Sequence, residues 1–107
     1  MAHHQHHAVI EACTTCAQEC DHCGEACLGM HAECAKICID CAAVCWQAAA
    51  FMSRGSHFIH PLVGLCAEVC DACAEECGKH PDDHCRRCAE ECRRCAEACH
   101  DLASARA

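Results

Sequence analysis

The spacing of the cysteines constrains this chain more than any other feature. Eighteen of the 107 residues are cysteine, and they fall into four groups. The first is Cys13, Cys16, Cys20, Cys23 and Cys27; the second is Cys34, Cys38, Cys41 and Cys45. The third is Cys66, Cys70, Cys73 and Cys77; the fourth is Cys85, Cys88, Cys92, Cys95 and Cys99. Within every group the steps alternate strictly between three and four. That is the heptad a/d pattern, which gathers side chains into one stripe along a helix, whereas a strand needs steps of two. Each group therefore predicts one helix carrying one stripe of thiols.

The residues between the cysteines agree. Ala, Glu, Gln, Lys and Arg dominate, and all are good helix formers. Charged residues such as Glu11, Glu19, Glu33, Glu68, Glu90 and Arg94 lie off the stripes, on the faces that solvent would meet. Breakers separate the groups: Gly29, then Ser53-Arg54-Gly55-Ser56, then Gly78 and Pro81. Ser56 suits an N-cap and Pro81 a first helical turn. These signals predict helices over roughly 8–28, 31–52, 57–78 and 82–103. Gly29 is the weakest break, but one continuous helix across it would leave a thiol stripe without a partner. Short connections make successive helices antiparallel neighbours. The expected fold is all-α: an antiparallel up-down-up-down four-helix bundle with a cysteine-lined core. It forms one domain over residues 1–107, with 1–7, which hold His3, His4, His6 and His7, as a flexible tail.

Composition says what fills that core. The chain is 53% apolar, but much of this is cysteine and alanine, and Trp46, Phe51 and Phe58 are its aromatic residues. A small domain short of large apolar side chains needs a staple, usually disulfides or metal. Net charge is −8, with no basic run and no aromatic platform, which argues against nucleic acid. No apolar run approaches the ~20 residues of a membrane span. The N-terminus, MAHHQHHAVIEAC, has no basic-then-apolar signal pattern. The expected location is the cytoplasm, where thiols stay reduced.

The stripes favour metal over disulfides. Bonds between cysteines three or four apart would staple a helix to itself and close tiny loops, which gains little. Iron–sulfur clusters use compact cysteine sets on loops, and a catalytic dithiol needs a single CxxC near a helix start. As hydrophobic packing alone, eighteen thiols would do what leucine or alanine does without redox risk. Sulfurs on adjacent turns can converge to about twice a ~2.3 Å metal–sulfur bond. Monovalent copper prefers soft thiolates and accepts two of them. If thiolates bridge, copper can approach one ion per cysteine and the filled interior stays neutral, avoiding the penalty of buried unpaired charge. Zinc balances charge at half that ratio. The alternatives are a zinc- or cadmium-binding thiol sink of metallothionein type, and a redox buffer. No residue pattern suggests an enzyme.

The segments CTTCAQECDHCGEAC, CAKICIDCAAVC, CAEVCDACAEEC and CRRCAEECRRCAEAC resemble the bacterial copper storage proteins, in particular their cytosolic branch. The resemblance spans about residues 9–102. It implies a four-helix bundle, Cu(I) on core cysteines, a homotetramer, and a few His, Met or Asp ligands at one end. In such a bundle one end gathers Val9, Ile10, Trp46, Phe51, Met52, Phe58, Ile59, Leu62, Val63 and Leu102, a hydrophobic plug. The other gathers Met30, His31, His80 and His84, whose thioether and imidazoles suit copper transfer. These four join the eighteen cysteines as candidate metal ligands. His22, His57, His60 and His100 are expected in solvent, Met52 in packing, and Asp83 is at most an accessory to the open end.

Overall fold

The computed structural model describes residues 6–105, which form four helices: α1 (His7–Cys27), α2 (Ala32–Ser53), α3 (Ile59–Cys77) and α4 (Asp83–Ser104). Their bounds agree with the expected ranges to within two residues. His3 and His4 lie outside the described residues, while His7 opens α1 and so belongs to the helix rather than to a tail. Helix neighbours are α1/α2, α2/α3, α3/α4 and α4/α1, which closes an elongated bundle of 42 × 20 × 17 Å.

The connections turn as their glycines require. Gly29 has φ +83° and Gly55 φ +65°, a region that favours glycine because it has no Cβ. At the first turn the Met30 and His31 N–H groups both donate to the Cys27 carbonyl, at 3.0 and 2.9 Å. Ser56 does not cap α3 as expected: Phe58 holds the N-cap position, and the Ser56 hydroxyl accepts from the Phe58 N–H at 3.0 Å in the turn before it. Pro81 likewise stays outside α4, whose N-cap is Asp82.

All eighteen cysteines are fully buried and unbonded to one another. Alanine lets the helices close around them. Every cysteine followed by a step of four is itself followed by Ala17, Gly24, Ala35, Ala42, Ala67, Ala74, Ala89 or Ala96, and each of these is buried. They occupy the heptad e position beside the a/d thiols, where a large side chain would push neighbouring axes apart. At Gly24 a Cβ would stand 3.4 Å from the Cys38 Cβ, so α1 and α2 approach closely there. By length and composition α2 reaches the apolarity of a membrane span, with mean hydropathy 1.4, although the sequence holds no long run of large apolar residues. Cysteine and alanine raise that average, and they line this bundle's interior.

Much of the buried surface needs no metal, because the e-position alanines, the thiols and the plug residues form one apolar cluster. The reduced, metal-free protein is expected to give a strongly helical circular dichroism spectrum. A coil spectrum that turns helical only with metal would place it among metal-folded domains instead.

Candidate metal centre

The four stripes meet as one continuous array of sulfur. Every cysteine Sγ lies within 4.0 Å of at least one other, and these steps join all eighteen. Neighbours within a helix contribute, as in Cys16–Cys20 at 3.9 Å and Cys41–Cys45 at 4.0 Å. The shortest contacts lie between adjacent helices: Cys34–Cys77 3.4 Å, Cys16–Cys92 3.6 Å and Cys45–Cys66 3.6 Å. Across the diagonal, α2 and α4 meet in a ladder: Cys34–Cys85 4.0 Å, Cys38–Cys88 3.8 Å, Cys41–Cys92 3.9 Å and Cys45–Cys95 4.0 Å.

Groups of four converge further. Cys13, Cys66, Cys95 and Cys99 lie within 4.8 Å of one another; so do Cys16, Cys45, Cys70 and Cys95, and, deeper toward the other end, Cys20, Cys73, Cys88 and Cys92. With bonds of ~2.3 Å, sulfurs around a planar three-coordinate ion stand about 4.0 Å apart, and those around a two-coordinate ion about 4.6 Å. The contacts fit the first without movement and the second with a small spreading. Four-coordinate binding is also within reach of these groups, so distance alone does not choose the metal, and charge sets how many ions of a given valence the core holds. Among the described residues no polar or charged side chain is buried in the core, so nothing there offsets a surplus of thiolate charge.

Proton affinities follow from this setting. Burial pushes the Cys27, Cys34 and Cys85 thiols up, since a thiolate there would lose its hydration. Deeper in, thiol–thiol hydrogen bonds take over: Cys88 and Cys73 are brought down, the contact with Cys20 being the largest cause in both, while Cys20 is pushed up, chiefly by Cys16. A cation that displaces the proton supplies the positive charge that the apolar interior lacks.

The end beside the α1–α2 and α3–α4 connections carries different side chains. His84 is the imidazole that reaches the sulfurs: its Nδ1 lies 3.5 Å from Cys23 Sγ, 3.5 Å from Cys85 Sγ and 4.0 Å from Cys27 Sγ. Its other nitrogen, Nε2, faces Asp82 Oδ2 at 3.8 Å. At that distance the carboxylate attracts the ring without a hydrogen bond, while Nδ1 faces the thiols. His31 and His80 stack at 3.9 Å between ring centroids. Each is held by a carboxylate: His31 Nε2–H donates to Asp82 Oδ1 at 3.1 Å, and His80 Nε2–H to Glu76 Oε2 at 3.0 Å. The His31 bond holds the Asp82 carboxyl below its ordinary value, and the His80 bond does the same for Glu76.

The structure thus brings His31, His80 and His84 together and leaves Met30 apart, 56% exposed on the surface. Asp82 and Glu76 escaped sequence reasoning, and Asp83, the acid considered there, is exposed. A signal was available: Asp82 sits at the N-cap, where aspartate normally bonds the helix's own N–H groups, yet it makes no such bond and turns to the histidines. At the opposite end Met52, Ile59 and Val63 are buried, with Val9, Ile10, Phe51, Leu62 and Leu102 packed against them. Phe58 does not join this plug, being 66% exposed. Trp46 stands on the outer surface, its indole N–H donating to Asp21 at 3.0 Å.

Solved structures share this fold. The family model described as copper storage protein matches residues 2–104. Apo copper storage protein 3 from Bacillus subtilis is 42% identical, with a TM-score of 0.88 over 92% of this chain and 98% of that one. The Cu(I)-bound copper storage protein BsCsp3 is 40% identical, with a TM-score of 0.88 over 92% and 97%. The Streptomyces lividans copper storage protein Ccsp, loaded with 10 copper equivalents, is 39% identical, with a TM-score of 0.85 over 91% and 82%. No curated protein sequence is a significant match. A family match over nearly the whole chain, on a bundle whose interior is built from thiols, makes this chain a member of the copper storage protein family.

Proposed function

We propose that this chain is a non-enzymatic store that holds many Cu(I) ions on its eighteen core cysteines, in amounts approaching one ion per cysteine. The observation that carries this is the unbroken array of eighteen buried thiols in a core without buried charge. Each thiol that binds exchanges one proton for one monovalent cation, and bridging gives every ion at least two sulfurs. With its thiols protonated the array is neutral, and with one Cu(I) per thiolate it is neutral again. A divalent ion would reach neutrality at half that loading.

His84 is the ligand at the mouth, beside Cys23, Cys27 and Cys85. His31 and His80 form its outer rim, and Met30 is a more distant thioether on the connection that carries His31. A soft ion can pass from imidazole to thiolate and then along the array without ever losing all its ligands. Thiols packed at 3.4–4.0 Å persist only where they are kept reduced, which suits the cytoplasm. Tetrameric assembly, which the family resemblance suggests, would give a place to exposed apolar side chains such as Ile39, Phe58 and Leu65. Residues 1–107 then act as one storage domain.

The test is anaerobic titration of the reduced protein with Cu(I), followed by counting of bound metal and released protons. Loading is expected to continue toward one ion per cysteine, with about one proton released per ion at neutral pH. Saturation at a handful of ions overturns storage in favour of a small transfer site. A parallel Zn(II) titration that matches the copper loading and resists displacement by Cu(I) would favour the zinc sink.

A further inference from the structure

The chain is acidic, with sixteen Asp and Glu against eight Lys and Arg. Five of those eight, Lys79, Arg86, Arg87, Arg93 and Arg94, fall within residues 79–94, toward the mouth end of α4. Lys79 pairs with Glu76 and Arg94 with Glu91. Among the described residues Arg86 and Arg93 have no carboxylate within ion-pair distance, and, seven apart, they share one face of α4. An open groove of about 420 Å³ lies there, lined by Gly78, Lys79, His80, Pro81 and Arg86. A second, of about 300 Å³, shares Gly78 and Arg86 and extends to Arg93, with Glu90 as its acidic group. Gly78 keeps the place open: a Cβ there would stand 3.2 Å from Arg93 Nη2 and 3.0 Å from the Ala74 carbonyl oxygen.

Arg93 also lies near the carbonyl end of α3, where a cation is favoured by the helix dipole. That accounts for Arg93 but not for Arg86, nor for a groove whose wall includes His80. His80 joins the groove to the mouth, because its ring stacks on His31.

We propose that this cationic groove binds the carboxylates of a small Cu(I)–thiolate donor and so presents its copper to the mouth. The proposal rests on the storage function. Monovalent copper favours soft thiolate ligands, and a bis(thiolate) complex bearing carboxylates is strongly anionic. A protein of charge −8 repels such a complex everywhere except at a local patch of opposite sign. Arg86 and Arg93 provide that patch within reach of the rim. The exchange is balanced: copper stays monovalent, and the two departing donor thiolates take up two protons and leave as thiols, one proton from each of the two cysteine thiols that replace them, or one from a thiol and one from solvent where the cysteines bridge.

The test compares copper uptake by the full chain from two donors, Cu(I) with excess reduced glutathione, which carries two carboxylates per thiol, and Cu(I) with excess cysteamine, which carries an amine. For an Arg86→Ala/Arg93→Ala variant, uptake from the glutathione complex is expected to slow about 3- to 10-fold at low ionic strength. Uptake from the cysteamine complex should hold or rise. Added salt should slow the wild type from glutathione toward the variant's rate. An unchanged rate from glutathione, or an equal loss with both donors, overturns the proposal. Both side chains are on an exposed face, so helicity and final capacity should match the wild type. The wild-type capacity, read in the same experiment, tests storage itself: a low value there defeats the store, whereas a high value with donor-independent rates defeats only the groove.

Discussion

Replacing Cys16, Cys45, Cys70 and Cys95 with alanine is expected to cost the capacity of seven cysteines, not of the four replaced. These four form one layer across the bundle. Beyond it, toward the plug, lie Cys13, Cys66 and Cys99, and their close sulfur contacts to the rest of the array run through Cys45, Cys70 or Cys95. An ion arriving from the mouth moves by exchanging one thiolate for the next. A layer of methyl groups offers it no ligand, and an unliganded cation in an apolar core is too costly to cross the gap. The other end is sealed, since Met52 and Val63 have no exposed surface and Ile59 is 6% exposed. The variant should stay helical: each substitution removes one buried sulfur, at a cost of about 1 kcal/mol, and the alanine packing between helices is untouched. Metal counting after anaerobic Cu(I) titration reads the result. A loss confined to the four replaced cysteines, with the outer three still filled, would mean that copper also enters through the plug.

The helices and the core were legible because a single periodicity specified both. A strict three-four step places the thiols on one stripe, and four such stripes can be buried only against each other. The two chemically distinct ends followed from alternating helix direction alone. What sequence spacing could not supply was the orientation of side chains at the turns. Met30 and His31 are adjacent, yet the turn at Gly29 sends Met30 outward and His31 toward Asp82. Asp82 and Asp83 are likewise adjacent, and the chain direction at the start of α4 decided which one meets the histidines. Trp46 looked like plug material from its apolarity, but its indole N–H needs a partner and finds Asp21 on the outer face of α1. The e-position alanines were present in the sequence as a regular companion of the cysteines; their role becomes clear only when the close helix approach is seen.

Replacing His84 with alanine is expected to slow copper uptake about tenfold while leaving final capacity almost unchanged. From sequence, His80 and His84 had equal standing at this end. The geometry separates them. His84 Nδ1 stands within 4.0 Å of three cysteine sulfurs, whereas His80 is turned to Glu76 and stacked on His31. On the proposed route His84 is the group through which an incoming ion would first gain a cysteine neighbour, so its loss would remove a step of the relay but none of the eighteen thiols. Removing His80 should have a smaller effect on rate. Met30→Ala should have little, because that side chain is 56% exposed. Asp82→Asn should fall between, since it keeps the shape but weakens the hold on His31 and on the far nitrogen of His84. Stopped-flow measurement of the copper–thiolate absorbance under anaerobic conditions gives the rates, and metal counting at equilibrium gives the capacity. If the His84 variant loads as fast as the wild type while a His57→Ala/His60→Ala variant loads slowly, copper enters at the end that holds Met52 and Val63, and the direction of filling assigned to this bundle is reversed.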